Sequence, residues 1–390
     1  MQATMLNSLT EVDADAWNAC ANPPALPRNP FLRHEFLLAL EQSGSAVART
    51  GWRPFHLALR DDADALLGVV PMYLKSHSQG EYVFDYAWAD AWHRAGGEYY
   101  PKLQVSVPFT PATGRRLLSR DADPATDQAL LAACAEVARQ TGVSSLHLTF
   151  LTESQWRLAG DAGYLQRMDQ QFHWQNRGYG SFDDFLDDLA SKKRKNLKRE
   201  RRDALANGIE IEWVTGDDLE ERHWDAFYRF YQDTGSRKWG SPYLTRRFFS
   251  QISETMAEDV LLILCRRDGR YIAGALNFIG SDTLYGRNWG CIEDHRFLHF
   301  EACYYQAIDF AIARGLDRVE AGAQGGHKVA RGYRPQATYS AHWIADAGFR
   351  RAVADYLERE RAHVRADIEY VAEHGPFKAT LDLPGNVEPD

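Results

Sequence analysis

Between residues 283 and 335 the hydrophobic period changes from two to 3.6 and back to two, which predicts strand, helix, strand and a polar loop. In the first strand, Thr283 to Cys291, Tyr285, Arg287 and Trp289 alternate with Gly286, Asn288 and Gly290, so the glycine face admits a close neighbour. From about Phe300 to Arg314, Tyr304, Ile308 and Ala311 form one stripe, flanked by Cys303, Ala307 and Phe310. That pattern predicts a helix lying on a sheet and stopped by Gly315. The second strand sends Val319, Ala321 and Ala323 one way and Glu320, Gly322 and Gln324 the other. Gly325, Gly326, His327, Lys328 and Arg331 then crowd donors and cations at the strand end, where open sheets carry their ligand loops.

The same order occurs earlier. Residues 55–61 and 65–76 read as a hairpin, 82–92 is aromatic and alternates, and 99–109 reads as a further strand entering the loop TPATGRRLL. A helix from Ala125 to Gln140, closed by Gly142, leads into the strand SSLHLTFL. The two halves therefore repeat one α/β (α+β) topology, giving domains at 1–170 and 171–375 with a tail at 376–390 expected to be loose. Between them, residues 181–208 form a basic helical junction that opens on Ser181 and stops at Gly208. Strands at 209–216, 260–269 and 271–282, helices at 217–240 and 242–256, a last strand at 338–345 and a helix from Phe349 to Glu373 complete the second half.

At 390 residues the chain suits two domains, and 45% hydrophobic with 12% aromatic residues excludes disorder. The net charge of −9 argues against general attraction to nucleic acid or anionic membrane, so any polyanion site has to be local. Cys20, Cys134, Cys265, Cys291 and Cys303 are scattered and odd in number, consistent with a reducing compartment. The N-terminus has no leader pattern and no stretch has the roughly 18 apolar residues of a membrane helix, so a cytoplasmic protein without membrane insertion is expected.

Glu320 and Gln324 are placed to accept an amine's proton and orient a carbonyl; the alternative is a polar pair at a sheet edge. His327, Lys328 and Arg331 are spaced to bind phosphate or carboxylate, or to form a solvated basic turn, and His327 completes the candidate catalytic set. Tyr86, Trp88 and Asp90, with Tyr99, Tyr100, Lys102 and Gln104, make an aromatic and polar cleft wall or ordinary packing. Arg287, Asn288 and Trp289 join the substrate set. Thr110, Thr113, Gly114 and Arg115 supply donors at the positive end of the 125–140 helix, an anion or donor site. His295 and His299, with Glu293 and Glu301 nearby, lie in a loop that does not fix a metal geometry, and no metal is expected. Lys192, Lys195, Arg199 and Arg202 recur one turn apart in a basic run, either a solvated or interdomain face or a patch for a tRNA backbone or a sugar-nucleotide diphosphate.

Helix, hairpin strands, central strand, loop, helix and strand, occurring twice, resembles tandem copies of the GNAT acyltransferase core, as in the FemABX class. The segments NPFLRHEFLLALEQSGS, YYPKLQVSVPFTPATG, KRKNLKRERR, YGRNWG, HFEACYYQAIDFAI, VEAGAQGGHK and ARGYRP resemble the FemAB-like family of peptidoglycan biosynthesis/recognition, over about residues 29–378. The resemblance implies an N-acyltransferase moving an acyl or aminoacyl group to an amine. The acceptor would be a cell-wall precursor or an amino-acid-like amine, and the donor acyl-CoA or aminoacyl-tRNA as co-substrate, with no tightly bound cofactor. The alternative is a non-catalytic module that recognises peptidoglycan precursors. The chain departs from the GNAT pattern: CIEDHRFLHF has no glycine where the pyrophosphate loop of the second copy should lie, while TPATGRR keeps one. That favours the first copy for anion binding. Oligomeric state is left open.

Overall fold

The structure is a computed structural model and describes residues 1–237, 242–322 and 325–378. Its strands, in chain order, are β1 (Gln2–Leu6), β2 (Trp52–Pro54), β3 (His56–Arg60), β4 (Leu66–Val70), β5 (Met72–Lys75), β6 (Lys102–Val105), β7 (Leu118–Ser119) and β8 (Ser145–Leu151). They continue as β9 (Leu165–Gln175), β10 (Glu210–Thr215), β11 (Val260–Arg267), β12 (Arg270–Ile279), β13 (Thr283–Cys291), β14 (Arg318–Glu320) and β15 (Arg334–Ile344). One sheet of eleven strands has the order β10-β11-β12-β13-β14-β9-β15-β8-β6-β5-β2, and β1-β3-β4-β7 form a smaller one. The expected hairpin is β3 against β4. Beyond Phe55 and Pro71 its two arms cross into the large sheet as β2 and β5.

The repeat is visible in the pairing. Two neighbouring pairs in the large sheet are parallel, β6 with β8 and β13 with β14. Parallel neighbours need a crossover, and each has one. Helix Pro124–Thr141 joins the first pair; the second is joined by a helix of Leu298–Phe300, a π-helical turn Glu301–Tyr305 and Gln306–Ala313. Gly142, with φ of 67°, closes the first helix as its sequence requires.

The units are not joined end to end. β8 is followed in sequence by β9, yet β15 lies between them; β14 is followed by β15, yet β9 lies between those. The antiparallel pair runs from Arg334 opposite His173 to His342 opposite Leu165, and helix Ala347–Glu373 packs across it, with Arg167 clamping Glu360 at 2.8 and 2.9 Å. The boundary expected at 170/171 therefore falls inside β9. Residues 82–92, which alternate as a strand does, instead run into helix Tyr86–Arg94. Asp85 at its start is engaged with Lys102 and Tyr99, and the helix buries Trp88 against His342. Helices Phe182–Asp187 and Ser191–Ala204 form the junction, Ser181 capping the first through Asp184 N–H. The start of the tail is fastened, since Ala190 N–H donates to the Pro376 carbonyl and Leu189 bridges to Phe377; residues 379–390 lie outside the described residues.

Candidate active site at the splay of β13 and β14

β13 and β14 pair only from Thr283 opposite Arg318 to Tyr285 opposite Glu320. β14 then ends, and Gly322, at φ of 78°, turns the chain away in the left-handed region while β13 continues to Cys291. A wedge opens. One lip carries Arg287, Asn288 and Trp289, the other Ala321 and Gly322, and all five line a cleft of about 800 Å³ between the units.

The alternation expected along β13 is broken by a bulge: Leu276 faces Asn288 and Asn277 faces Gly286, leaving Arg287 without a partner on β12. Arg287, Asn288 and Trp289 then line the cleft together, where the alternation expected Arg287 and Trp289 on one face and Asn288 on the other. The close approach expected at the glycine face occurs at Gly290, where a Cβ would lie 2.3 Å from the Phe230 carbonyl oxygen of helix Glu221–Arg237. Arg287 is half-buried and donates to the carbonyl of Phe109 in the first unit, and Phe109 stacks on Tyr243 at 4.7 Å.

The 3-10 turn Gly326–Arg331 supplies a buried cation to the cleft. Lys328 is 2% exposed and donates to Gly322 O at 2.8 Å, and among the described residues no carboxylate pairs with it. Burial lowers its pKa to about 8, with Cys303 opposing. His327 is bonded to the Tyr304 hydroxyl at 2.9 Å and is lowered by burial, Arg331 and Lys328, so it is neutral near pH 7. Tyr82, Tyr86, Tyr231 and Tyr243 form the aromatic wall.

Of the residues expected in the site, Tyr86, Arg287, Asn288, Trp289, His327 and Lys328 meet in this cleft. Arg331 stands behind it, over the Phe300 ring at 3.4 Å and paired with Glu200 at 2.9 Å. Lys102 is fully buried, with Ser78 Oγ at 2.9 Å, Glu81 at 2.7 Å and Asp85; burial opposes its charge but the two carboxylates outweigh it and raise its pKa. Tyr100 reaches Ser78 Oγ at 2.7 Å, so both hold the loop whose Ser78, Gly80 and Tyr82 line the cleft. Gln104 donates to Thr149 at 2.9 Å, Trp88 is core, and Asp90 pairs with Arg94 on the surface. None of these three lines the cleft.

Glu320 does not share a face with Gly322. Ala321 and Gly322 line the cleft, whereas Glu320 lines a separate cavity of about 440 Å³ together with Thr113, Gly114 and Arg115. Gln324 lies outside the described residues. At the 125–140 helix, where an anion site was expected, the chain caps its own first turn, since Asp123 accepts from Ala125 and Thr126 N–H; Thr110 Oγ1 donates to Pro108 O and Arg115 to the Ser119 and Cys20 carbonyls, while Thr113 and Gly114 face the cavity that holds Glu320. Arg116, fully buried, fills the space beyond β6 and β8 by donating to Thr149 O at 3.0 Å and Ala112 O at 2.8 Å. In the first unit the chain itself returns to β8, Gly114 N–H donating to the Phe150 carbonyl at 3.0 Å, whereas in the second unit the wedge beside β13 lines the cleft. Sequence reasoning passed over Tyr82, Tyr231 and Tyr243, whose aromatic character alone does not separate a cleft wall from a core.

Lys192, Lys195, Arg199 and Arg202 are exposed along helix Ser191–Ala204. Arg202 pairs with Asp203 at 2.7 Å; Lys192, Lys195 and Arg199 have no acidic partner among the described residues. His295 pairs with Glu293 at 2.9 Å, and His299 faces Trp289 and the cleft.

A tandem GNAT-type fold with one open splay defines the class. The model of the FemAB-like family of peptidoglycan biosynthesis/recognition matches residues 8–379, and the chain belongs to that family. Among solved structures it is similar to FemX, at 12% identity over 91% of this chain and 100% of that one, with a TM-score of 0.56. It is also similar to L-PGS from Bacillus licheniformis, at 11% identity over 85% and 98% of the two chains and a TM-score of 0.50. The C-terminal domain of a putative lysylphosphatidylglycerol synthetase from Agrobacterium fabrum is similar at 10% identity over 90% and 96%, with a TM-score of 0.51. No curated protein sequence matches the chain. Among the described residues, no helix is long and apolar enough to cross a membrane.

Proposed function

We propose that this protein transfers an acyl or aminoacyl group to a primary amine in the cleft, with the donor's acyl group inserted at the β13–β14 splay. The observation that carries this is the open wedge floored by a buried cation without a carboxylate partner among the described residues. The amine nitrogen attacks the ester or thioester carbonyl; the oxyanion so formed collapses, expels the donor's alcohol or thiol, and the amine's proton passes to that leaving group. Lys328, fixed by Gly322 O, supplies positive charge where the oxyanion develops, in a setting where such stabilisation is worth most. His327, neutral and oriented by Tyr304, is placed to take the amine's proton. Holding the reactants against the aromatic wall contributes more, since positioning supplies about 7–11 kcal/mol against the roughly 10²–10⁴-fold of a base.

The exposed face of helix Ser191–Ala204 supports a phosphate-rich substrate. Lys192, Lys193 and Arg194 sit in its first turn, where cations oppose the helix dipole and weaken the isolated helix. Glu200 of this helix binds both Arg331 and Tyr305, so the face is tied to the turn that carries His327 and Lys328. Mass spectrometry of purified protein incubated with acyl-CoA or aminoacyl-tRNA and a panel of amines tests the proposal. An amide product that disappears in Lys328→Ala is expected, and donors left intact with every amine would overturn it.

A further inference from the structure

The 440 Å³ cavity shares no lining residue with the cleft. Its floor is made by Glu320 of β14, His173 of β9 and Gln336 of β15, and its cover by the segments around Leu26, Thr113 and Gln155. Two buried polar atoms in its lining have no hydrogen-bond partner among the described residues, Glu320 Oε2 and Thr113 Oγ1. An unpartnered carboxylate oxygen in a residue 6% exposed is a costly feature for a fold to keep. The other charges of the lining are paired: Arg318 with Asp282 at 2.6 Å and Arg115 with Asp127 at 3.8 Å. His173 lies 4.0 Å from Glu320 but is held neutral, its pKa lowered to about 3 by burial, Arg318 and Lys328, so it does not balance the carboxylate. The cavity therefore carries one acid outside any ion-pair contact with Lys or Arg and two acceptor atoms without a partner among the described residues, beside an apolar wall of Ala21, Leu26, Pro27 and Leu32.

We propose that this cavity is a second ligand site, separate from the transfer cleft, for a small organic primary ammonium ion whose N–H groups donate to Glu320 Oε2 and Thr113 Oγ1. Its volume holds about fifteen water-sized groups, enough for an amine with a short aliphatic chain. An ammonium fits where other groups do not: a carboxylate or phosphate would face Glu320, and a hydroxyl has one proton for two acceptors. Arg318, Arg287 and Arg116 stand near Glu320, as do Asp282 and Tyr285, and the Thr113 amide is turned toward it. Burial prevails and raises Glu320 to about 7 in the empty protein. Binding a cation needs the ionised form, so affinity rises with pH across that value.

Titration calorimetry with n-hexylamine on the full chain at pH 6 and pH 8 tests this. The ionised fraction of a group with a pKa of about 7 rises about tenfold over that interval, and the wild type should bind about tenfold more tightly at pH 8. Glu320→Gln, which keeps the shape, should bind weakly and equally at both values. Thr113→Val should bind more weakly with the pH dependence retained, and Lys328→Ala, in the cleft, should bind as the wild type. Retention of the amine by Lys328→Ala also keeps failure here distinct from failure of the transfer reaction. The proposal is overturned by absence of saturable amine binding to the wild type, by unchanged binding in Glu320→Gln, or by equal affinity for n-hexanol.

Discussion

Lys328 and Glu320 lie a few residues apart in sequence and serve opposite sides of β14, and their titrations differ in sign. Lys328 is ammonium below about pH 8. If its charge stabilises the oxyanion, turnover should fall as pH rises through 8, and Lys328→Arg, which stays charged, should abolish that fall. Lys328→Ala should lower kcat/KM by about 10²–10³-fold, the usual cost of one oxyanion donor. A flat profile from pH 7 to 9 in the wild type would remove Lys328 from the chemistry. Glu320 concerns stability. Its folded pKa of about 7 lies above the ordinary 4.5, so its neutral form costs nothing below pH 4.5 and its ionised form weakens the fold progressively as pH rises through 7. Glu320→Gln should therefore melt higher than the wild type at pH 8, by up to ~3 kcal/mol, and equally at pH 4.5. Equal melting at both pH values would show that Glu320 is not penalised by burial. At this scale the sequence identified the residue types well, because His327, Lys328 and Arg287 are polar groups in apolar surroundings. It misplaced Glu320 because a period-two reading carries Gly322 onto the same face, and a left-handed glycine ends the strand one residue too soon for that.

The β13 bulge shapes one lip of the wedge, and it is invisible in the residue pattern: Tyr285 to Gly290 alternate well enough to hide one extra residue. What the pattern did carry was Gly290. Gly290→Ala would place a methyl against the backbone of Phe230, and overpacking of that kind should cost about 1–3 kcal/mol. Thermal unfolding checks it; an unchanged midpoint would mean that helix Glu221–Arg237 does not pack on this position. The basic helix is the other element whose meaning depends on partners. Replacing Lys192, Lys195, Arg199 and Arg202 by Gln should weaken binding of aminoacyl-tRNA and flatten its salt dependence, by roughly 0.7 in the log–log slope for each single-strand phosphate that is no longer neutralised. An acyl-CoA would feel the change far less. Absence of tRNA binding by either protein, with acyl-CoA bound equally, would leave these residues as a solvated face. The unpaired Lys192, Lys195 and Arg199 keep the polyanion reading open, since Arg194, Lys198 and Arg201 of the same run are paired with Asp187, Asp183 and Glu301.

For the molecule as a whole, the repeated topology was legible because each unit writes it in consecutive elements, whereas the interlock pairs residues from 161 (Arg334 with His173) to 177 (His342 with Leu165) positions apart and no local period records it. The exchange has a mechanical consequence. β8 is buried along its whole length and is flanked by β6 on one side and β15 on the other. A fragment ending after β9, at residue 180, would lack β15, turning β8 into a long apolar edge and leaving β9 without either neighbour. The second unit would lack β9, so β14 and β15 could not be bridged. Each fragment alone is therefore expected to aggregate or remain unfolded, while co-expression of 1–180 with 181–390 should give a soluble complex, because the cut lies in the turn at Gly178–Ser181 and not within the sheet. Near-ultraviolet circular dichroism of the complex, rich in buried Trp17, Trp52, Trp174 and Trp224, provides the readout. A native-like spectrum from fragment 1–180 alone would show that the first unit closes without β15, and the shared strand pair would then be a contact between two independent domains.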